Sequence, residues 1–141
     1  MRNPTVIVDA AHNPHGARSL KQTLSEEFDF DAVIGVVAPM GDKDVSGILE
    51  ELEWVMSRVI VSRNSSHRAA SIEELHDTAR EIFGGDRVQQ SETLISAISS
   101  AVEQAKLQNA VQDSNVAVVI AGSVVTAGEA RAIVRKIKES R

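Results

Sequence analysis

Cysteine is absent from this 141-residue chain, which excludes disulfides and thiolate metal sites and permits a reducing compartment without requiring one. Excess positive charge is missing too, since Lys and Arg number 15 against 20 Asp and Glu, for a formal net charge of −5. A general nucleic-acid surface needs clustered cations, so no nucleic-acid partner is expected, and any anionic ligand must be met by local groups. No apolar run approaches the roughly 18 residues of a membrane span, and Met1-Arg2-Asn3-Pro4 carries no signal-peptide core. A cytoplasmic chain with no membrane partner is therefore expected.

Several catalytic signatures are missing as well. There is no G-x-x-x-x-G-K-S/T loop to cradle a nucleotide triphosphate, and no G-x-G-x-x-G follows the first apolar run. No G-x-S-x-G elbow occurs, and His12 with His15 lacks the helical H-E-x-x-H context of a zinc site. A complete active site is not visible in this sequence. The chain also enters its first apolar run within a few residues of Met1, which we expect of a piece of a longer polypeptide.

What is present is enough apolar sequence, 43%, for one core and one domain spanning residues 1–141. Short apolar runs alternate with stretches of helical period, the pattern of an α/β, Rossmann-like fold: a mostly parallel sheet with helices on both faces. Strands are predicted at Thr5 to Asp9, Ala32 to Ala38, Val55 to Ser62, weakly at Arg87 to Gln90, and at Val116 to Ala121. The first helix places Ala17, Leu20, Leu24 and Phe28 on one side, the second Val45, Ile48, Leu49 and Leu52, and the third Ile72, Leu75, Ala79 and Ile82. The fourth shows Leu94, Ile98, Ala101, Val102 and Ala105, and the fifth Ala130, Ile133, Val134 and Ile137. Ser71 with Glu74 and Thr126 with Glu129 read as helix starts, Gly84-Gly85 as a helix end, and Gln108 to Asn115 as a polar loop.

Strand-then-helix units with right-handed crossovers place every strand's carboxyl end on one rim, where ligands of such sheets bind. The polar clusters of the sequence fall on that rim. Asp9 and His12, just past the first strand, offer a carboxylate and an imidazole suited to a ribose or similar diol; equally, Asp9 can cap the next helix with His12 a turn residue. Asn13 suits a turn, Pro14 a helix's first turn, and His15 an exposed position in it. In Gly41-Asp42-Lys43-Asp44, the acids read as a solvated turn with Asp44 a cap, while Lys43 is a point charge able to meet a phosphate or carboxylate. Arg68 carries a planar fork suited to a carboxylate. Gly122-Ser123 lets the backbone approach a ligand closely, although helix packing would also call for that glycine.

The string D-A-A-H-N-P-H-G-A at Asp9 to Ala17 resembles the D-G-A-H-N-P motif of folylpolyglutamate and dihydrofolate synthases of the Mur ligase superfamily. Met40-Gly41-Asp42-Lys43-Asp44 is similar to that family's D-K-D segment, Arg68-Ala69 to its P-R-A segment, and A-G-S-V-V-T-A-G-E-A-R at Ala121 to Arg131 to its T-G-S-L-Y-x-x-G-E. Ala10 stands in place of the motif's glycine, His67 in place of proline, and Val124-Val125 in place of Leu-Tyr. The resemblance implies the carboxy-terminal domain of an ATP-dependent ligase that adds glutamate to folate through an acyl phosphate. The partner would be an amino-terminal ATPase domain, absent from this chain, that holds ATP phosphates and Mg2+. By the same resemblance Asp9 and His12, with Asn13 beside them, would contact the nucleotide ribose. Arg68 would meet the glutamate carboxylate, and Ser123 and Lys43 would lie toward glutamate and the folate or dihydropteroate substrate. Alone, such a domain is expected to be inactive. The alternatives are a stand-alone nucleotide- or anion-binding module, and an amino-acid ligase of cell-wall synthesis.

Overall fold

The computed structural model describes residues 4–140; residues 1–3, from which the start of the chain was read, and residue 141 lie outside it. Along the chain come β1 (Val6–Val8), α1 (Pro14–Glu27), β2 (Ala32–Val37), α2 (Val45–Glu53), β3 (Arg58–Val61) and α3 (Ile72–Phe83). A 3-10 turn (Gly85–Arg87) leads into β4 (Val88–Gln90), and α4 (Leu94–Gln112), β5 (Val116–Ala121) and α5 (Val124–Glu139) follow. The strands form one sheet in the order β1-β5-β2-β3-β4, and every neighbouring pair is parallel. The α/β, Rossmann-like fold with a parallel sheet is thus what these residues build.

Strand periodicity divides the apolar residues between two cores. Val33 and Val37 of β2, Val59 and Val61 of β3, and Val119 and Ala121 of β5 face α1, α2 and α3, where Leu20, Ile48, Leu49, Leu52, Leu75 and Phe83 close the layer. The alternate residues Ile34, Val36, Ile60, Val118 and Ile120 face α4 and α5, packing on Ile98, Val102 and Ala130. The connections dictate this split: β1 to β4 progress across the sheet in one direction, and the crossover through α4 runs back, so it must lie on the opposite face. β5 returns between β1 and β2, pairing Val118 with Val6 and Ile34 alike.

Several boundaries differ from the sequence expectation, each for a visible reason. Residues 108–112 are helical and not loop: Asn109, 5% exposed, accepts from Val116 N at 2.7 Å and donates to its carbonyl at 3.2 Å, so this polar side chain serves the core-side join to β5. The helix ends at Asp113, which takes the left-handed φ of 50°. β3 begins at Arg58 and not Val55, because the Val55 and Met56 amides both still donate to Leu52 O at 3.0 Å. Phe28 lies beyond α1 and stacks on Phe30 with ring centroids 5.0 Å apart, and Phe83 joins the core at the end of α3 with half-buried Ile82 packed against it. The fifth helix starts at Val124 with Ser123 as its cap, and Thr126 sits within its first turn. The expected caps at Ser71 and the glycine stop at Gly84, with φ of 89°, are as read.

α1 and α2 are tied by Glu51, which takes Lys21 Nζ at 2.7 Å and Arg18 at 3.1 Å. The hydrogen bonds from Lys21 and then Arg18 hold the Glu51 carboxyl below its ordinary pKa. A depressed folded-state value stabilises the fold above the unfolded carboxylate pKa and ceases to do so as the pH falls through the folded value. Thermal midpoints followed from pH 7 down to about pH 3 should therefore fall less steeply in Glu51→Gln than in the parent.

At the carboxyl rim Gly122 has φ of 131°, and a Cβ there would lie 2.8 to 2.9 Å from the backbone of Ala38 and Pro39. Those atoms belong to a buried strand end and cannot yield as a flexible side chain would. Gly122→Ala is expected to cost about 3 kcal/mol, read as a lowered urea midpoint at unchanged m-value.

Candidate ligand edge at the carboxyl rim

β1 and β2 leave the sheet toward α1 and α2 on one face, whereas β5 between them leaves toward α5 on the other. Such a divergence opens a crevice beyond the strand ends, where doubly wound sheets hold ligands. Three backbone bonds seal its floor: Asp9 N donates to Ile120 O at 2.9 Å, Gly122 N to Ala11 O at 3.0 Å and Ala38 N to Ala121 O at 3.0 Å.

The β1 loop presents three of the sequence-selected side chains together. Asp9 is half-buried; its Oδ1 accepts from Ala11 N at 2.8 Å, an Asx turn that bends the chain out of the strand. It does not cap α1; Asn13 does, its Oδ1 accepting from Gly16 N at 2.7 Å ahead of Pro14 in the first turn. That leaves Asp9 Oδ2 and the Asn13 amide nitrogen without a partner among the described residues. His12 is exposed, with Nδ1 3.1 Å from Ala10 O. A carbonyl partner places the proton on Nδ1 and leaves Nε2 a free acceptor in the neutral ring. His15 is exposed in the first turn of α1. The loop thus offers a carboxylate oxygen, an imidazole and an amide at the crevice, a set suited to a vicinal diol.

Lys43 and Arg68 come from the neighbouring loops. The β2 and β3 loops are joined by an isolated antiparallel bridge between Met40 and Ala69, with Gly41 N donating to Arg68 O at 2.8 Å and Ala70 N to Pro39 O at 3.0 Å. The Arg68 side chain is 64% exposed, and among the described residues its guanidinium has one 3.4 Å contact, with exposed Asp42. Surface pairs of that kind contribute little and are readily exchanged for another carboxylate. Lys43 is exposed and makes no ion pair among the described residues, and Asp44 caps α2 by accepting from Gly47 N at 3.0 Å. Ser123 is placed differently. It is 2% exposed, and its hydroxyl accepts from Thr126 N at 2.9 Å and from Asn64 Nδ2 at 3.3 Å, so it faces protein and not solvent.

The rim also holds residues to which the sequence reading gave no part in the site. Asn64, buried at the end of β3, donates to Thr126 Oγ1 at 3.0 Å, and Thr126 Oγ1 donates in turn to Ala38 O at 2.6 Å. This polar knot joins the ends of β2, β3 and β5, elements far apart in sequence, so nothing local signalled it beyond an amide just past a strand. Glu129 does not reach back to close a capping box; it binds the Ser65 backbone and hydroxyl. A groove of about 520 Å³ opens beside it, between residues 63–65, residues 92–95 at the start of α4, and Glu129 and Ile133 of α5. Among the described residues no group of three or more His, Asp or Glu side chains is arranged to hold a metal ion.

An all-parallel, doubly wound α/β domain with its polar loops gathered on the carboxyl rim is a Rossmann-like fold. The chain belongs to the Mur ligase family: the profile described as "Mur ligase, glutamate ligase domain" matches residues 1–124. A dihydrofolate synthase/folylpolyglutamate synthase of Mycobacterium tuberculosis is 49% identical over 138 residues, covering 92% of this chain and 28% of that protein. The structure of Mycobacterium tuberculosis folylpolyglutamate synthase complexed with ADP superposes with a TM-score of 0.88 at 49% identity, over 92% of this chain and 30% of that one. Folylpolyglutamate synthase from Thermotoga maritima gives 0.74 at 30% identity, over 92% and 27%. The chain therefore spans less than a third of the length of these relatives.

Asn13 is expected to act as a cap whatever else it touches. Asn13→Ala should lower unfolding free energy by about 1 kcal/mol, and Asn13→Asp, which keeps the acceptor, should leave it nearly unchanged in urea titrations.

Proposed function

We propose that this chain is the carboxy-terminal domain of an ATP-dependent folate–glutamate ligase, acting as a folylpolyglutamate synthase, a dihydrofolate synthase or both. The observation that carries the reading is the β1 loop, where Asp9 Oδ2 and His12 Nε2 have no partner among the described residues at the rim of a domain similar to one solved with ADP. In the reaction, a carboxylate oxygen of the folate or dihydropteroate substrate takes the γ-phosphoryl group of ATP, releasing ADP. The glutamate amine then attacks the acyl phosphate carbon, gives up a proton, and phosphate leaves as the amide forms. An amino-terminal ATPase domain of the same cytoplasmic polypeptide holds the ATP phosphates and Mg2+, consistent with the absence of a P-loop here.

This domain's part is positioning across the cleft between the two. Asp9 accepts from a ribose hydroxyl, His12 Nε2 accepts from the other or stacks beside the sugar, and the Asn13 amide donates at the same edge. Arg68, whose fork is only loosely engaged by Asp42, receives a glutamate carboxylate, and Lys43 adds positive charge toward the anionic substrates. Ser123 serves the substrate side through the helix it caps, its own hydroxyl being enclosed.

Full-length ligase carrying Asp9→Asn, which keeps the acceptor for Ala11 N, or His12→Ala tests the nucleotide edge. Each should raise KM for ATP about tenfold, the loss of roughly one hydrogen bond, without lowering the thermal midpoint. Unchanged ATP kinetics in both variants would remove the ribose from this loop.

A further inference from the structure

Arg68 is not ordered by packing, because its side chain is largely in solvent and its one ion pair among the described residues is long. Its position has to come from the backbone that carries it. The downstream half of that loop is bonded to the β2 loop through Gly41 and Ala70. The upstream half is fastened to α5. Ser65 N donates to both carboxylate oxygens of Glu129, at 3.1 and 3.2 Å, and the Ser65 hydroxyl donates to Oε2 at 2.5 Å. Ser66 N then donates to Asn64 Oδ1 at 2.9 Å, and Arg68 N to Ser66 Oγ at 3.1 Å, passing the constraint to Arg68 itself.

Glu129 has no other visible purpose. α5 is capped by Ser123, the Glu129 side chain belongs to neither core, and among the described residues its hydrogen bonds run to Ser65 alone. Bonds from a backbone N–H and a hydroxyl to a carboxylate are charge-assisted, and the hydroxyl bond here is short, so Glu129 clamps the exposed Ser65 end of the loop. Through Asn64 the same loop is bonded to Ser123, and the adjacent Gly122 is bonded to Ala11, so the Asp9–His12 loop and the Arg68 loop share one hydrogen-bonded frame.

We propose that Glu129 is a positioning residue for the ligase reaction: by clamping Ser65 it sets the loop that presents Arg68 to the carboxylate of the incoming amino acid. The inference rests on Arg68 receiving that carboxylate, as proposed above. Misplacement of a binding group by about 1 Å can cost on the order of a hundredfold, so a clamp remote from the reacting atoms has a kinetic signature.

The test uses full-length ligase with Glu129→Ala, Glu129→Gln, Arg68→Ala and the Glu129→Ala/Arg68→Ala pair, measuring KM for glutamate and for ATP, kcat and thermal midpoint. Glu129→Ala should raise KM for glutamate about tenfold while leaving KM for ATP and the midpoint near parent values. Glu129→Gln, which keeps an acceptor oxygen for Ser65, should recover most of the loss. Once Arg68 is alanine, removing Glu129 should add less than about twofold, since its effect passes through Arg68. A raised glutamate KM in Arg68→Ala with none in Glu129→Ala, or effects of the two that multiply, would overturn the clamp alone. An unchanged glutamate KM in Arg68→Ala overturns the assignment of Arg68 and the clamp with it.

Discussion

β5 lies between β1 and β2, hydrogen-bonded to both, and its chain then leaves on the opposite face from theirs. Three strand ends therefore meet within a few ångströms and part in two directions. The backbone must pass so close to Ala38 and Pro39 that only a residue without a Cβ fits at position 122, at a φ that glycine adopts without penalty. Crevice, loop order and helix layers all follow from that one insertion. Were β5 to pair on the outer side of β1, the β1 and β2 loops would be neighbours and the divergence between them and α5 would vanish.

The polar atoms at this junction are as constrained as the apolar ones beneath. Thr126 is fully buried, and its hydroxyl satisfies the Ala38 carbonyl while receiving the Asn64 amide. Each of these groups would be an uncompensated buried dipole without the others. Such a knot resists loop movement at the rim that carries half-buried Asp9 and exposed His12 and Arg68. Rigid support beneath solvent-facing side chains suits the positioning role proposed for this domain.

Much of the fold was legible in sequence because both periodicities are strong. Val33 to Val37 and Val116 to Ala121 are apolar throughout, as strands buried on both faces must be, and α3 places Ile72, Leu75 and Ala79 on one side. The site was legible where its residues are contiguous: Asp9, His12 and Asn13 lie on one short loop. It was not legible where a residue's partner is distant. Thr126 and Glu129 have the spacing of a capping box, and local pattern assigns them to each other. In the folded chain the cap is Ser123, Thr126 turns inward to Ala38, and Glu129 turns to Ser65. Asn109 misled for the same reason, since a polar residue near a helix end looks like loop until Val116 is seen to occupy both its hydrogen-bonding groups.

The sequence by itself determined the element types, the parallel sheet, the rim on which the polar loops gather, and the Asp9-to-Ala17 motif that resembles the ligase family. These depend on local propensity, period and short-range spacing, which are written along the chain. Only the tertiary structure decided that β5 divides β1 from β2, that Ser123 is enclosed while Arg68 stands free, and that Asn64, Thr126 and Glu129 hold the rim together. Those are matters of which distant groups come within hydrogen-bonding distance. That distance is set by how the layers pack, and no residue carries it alone.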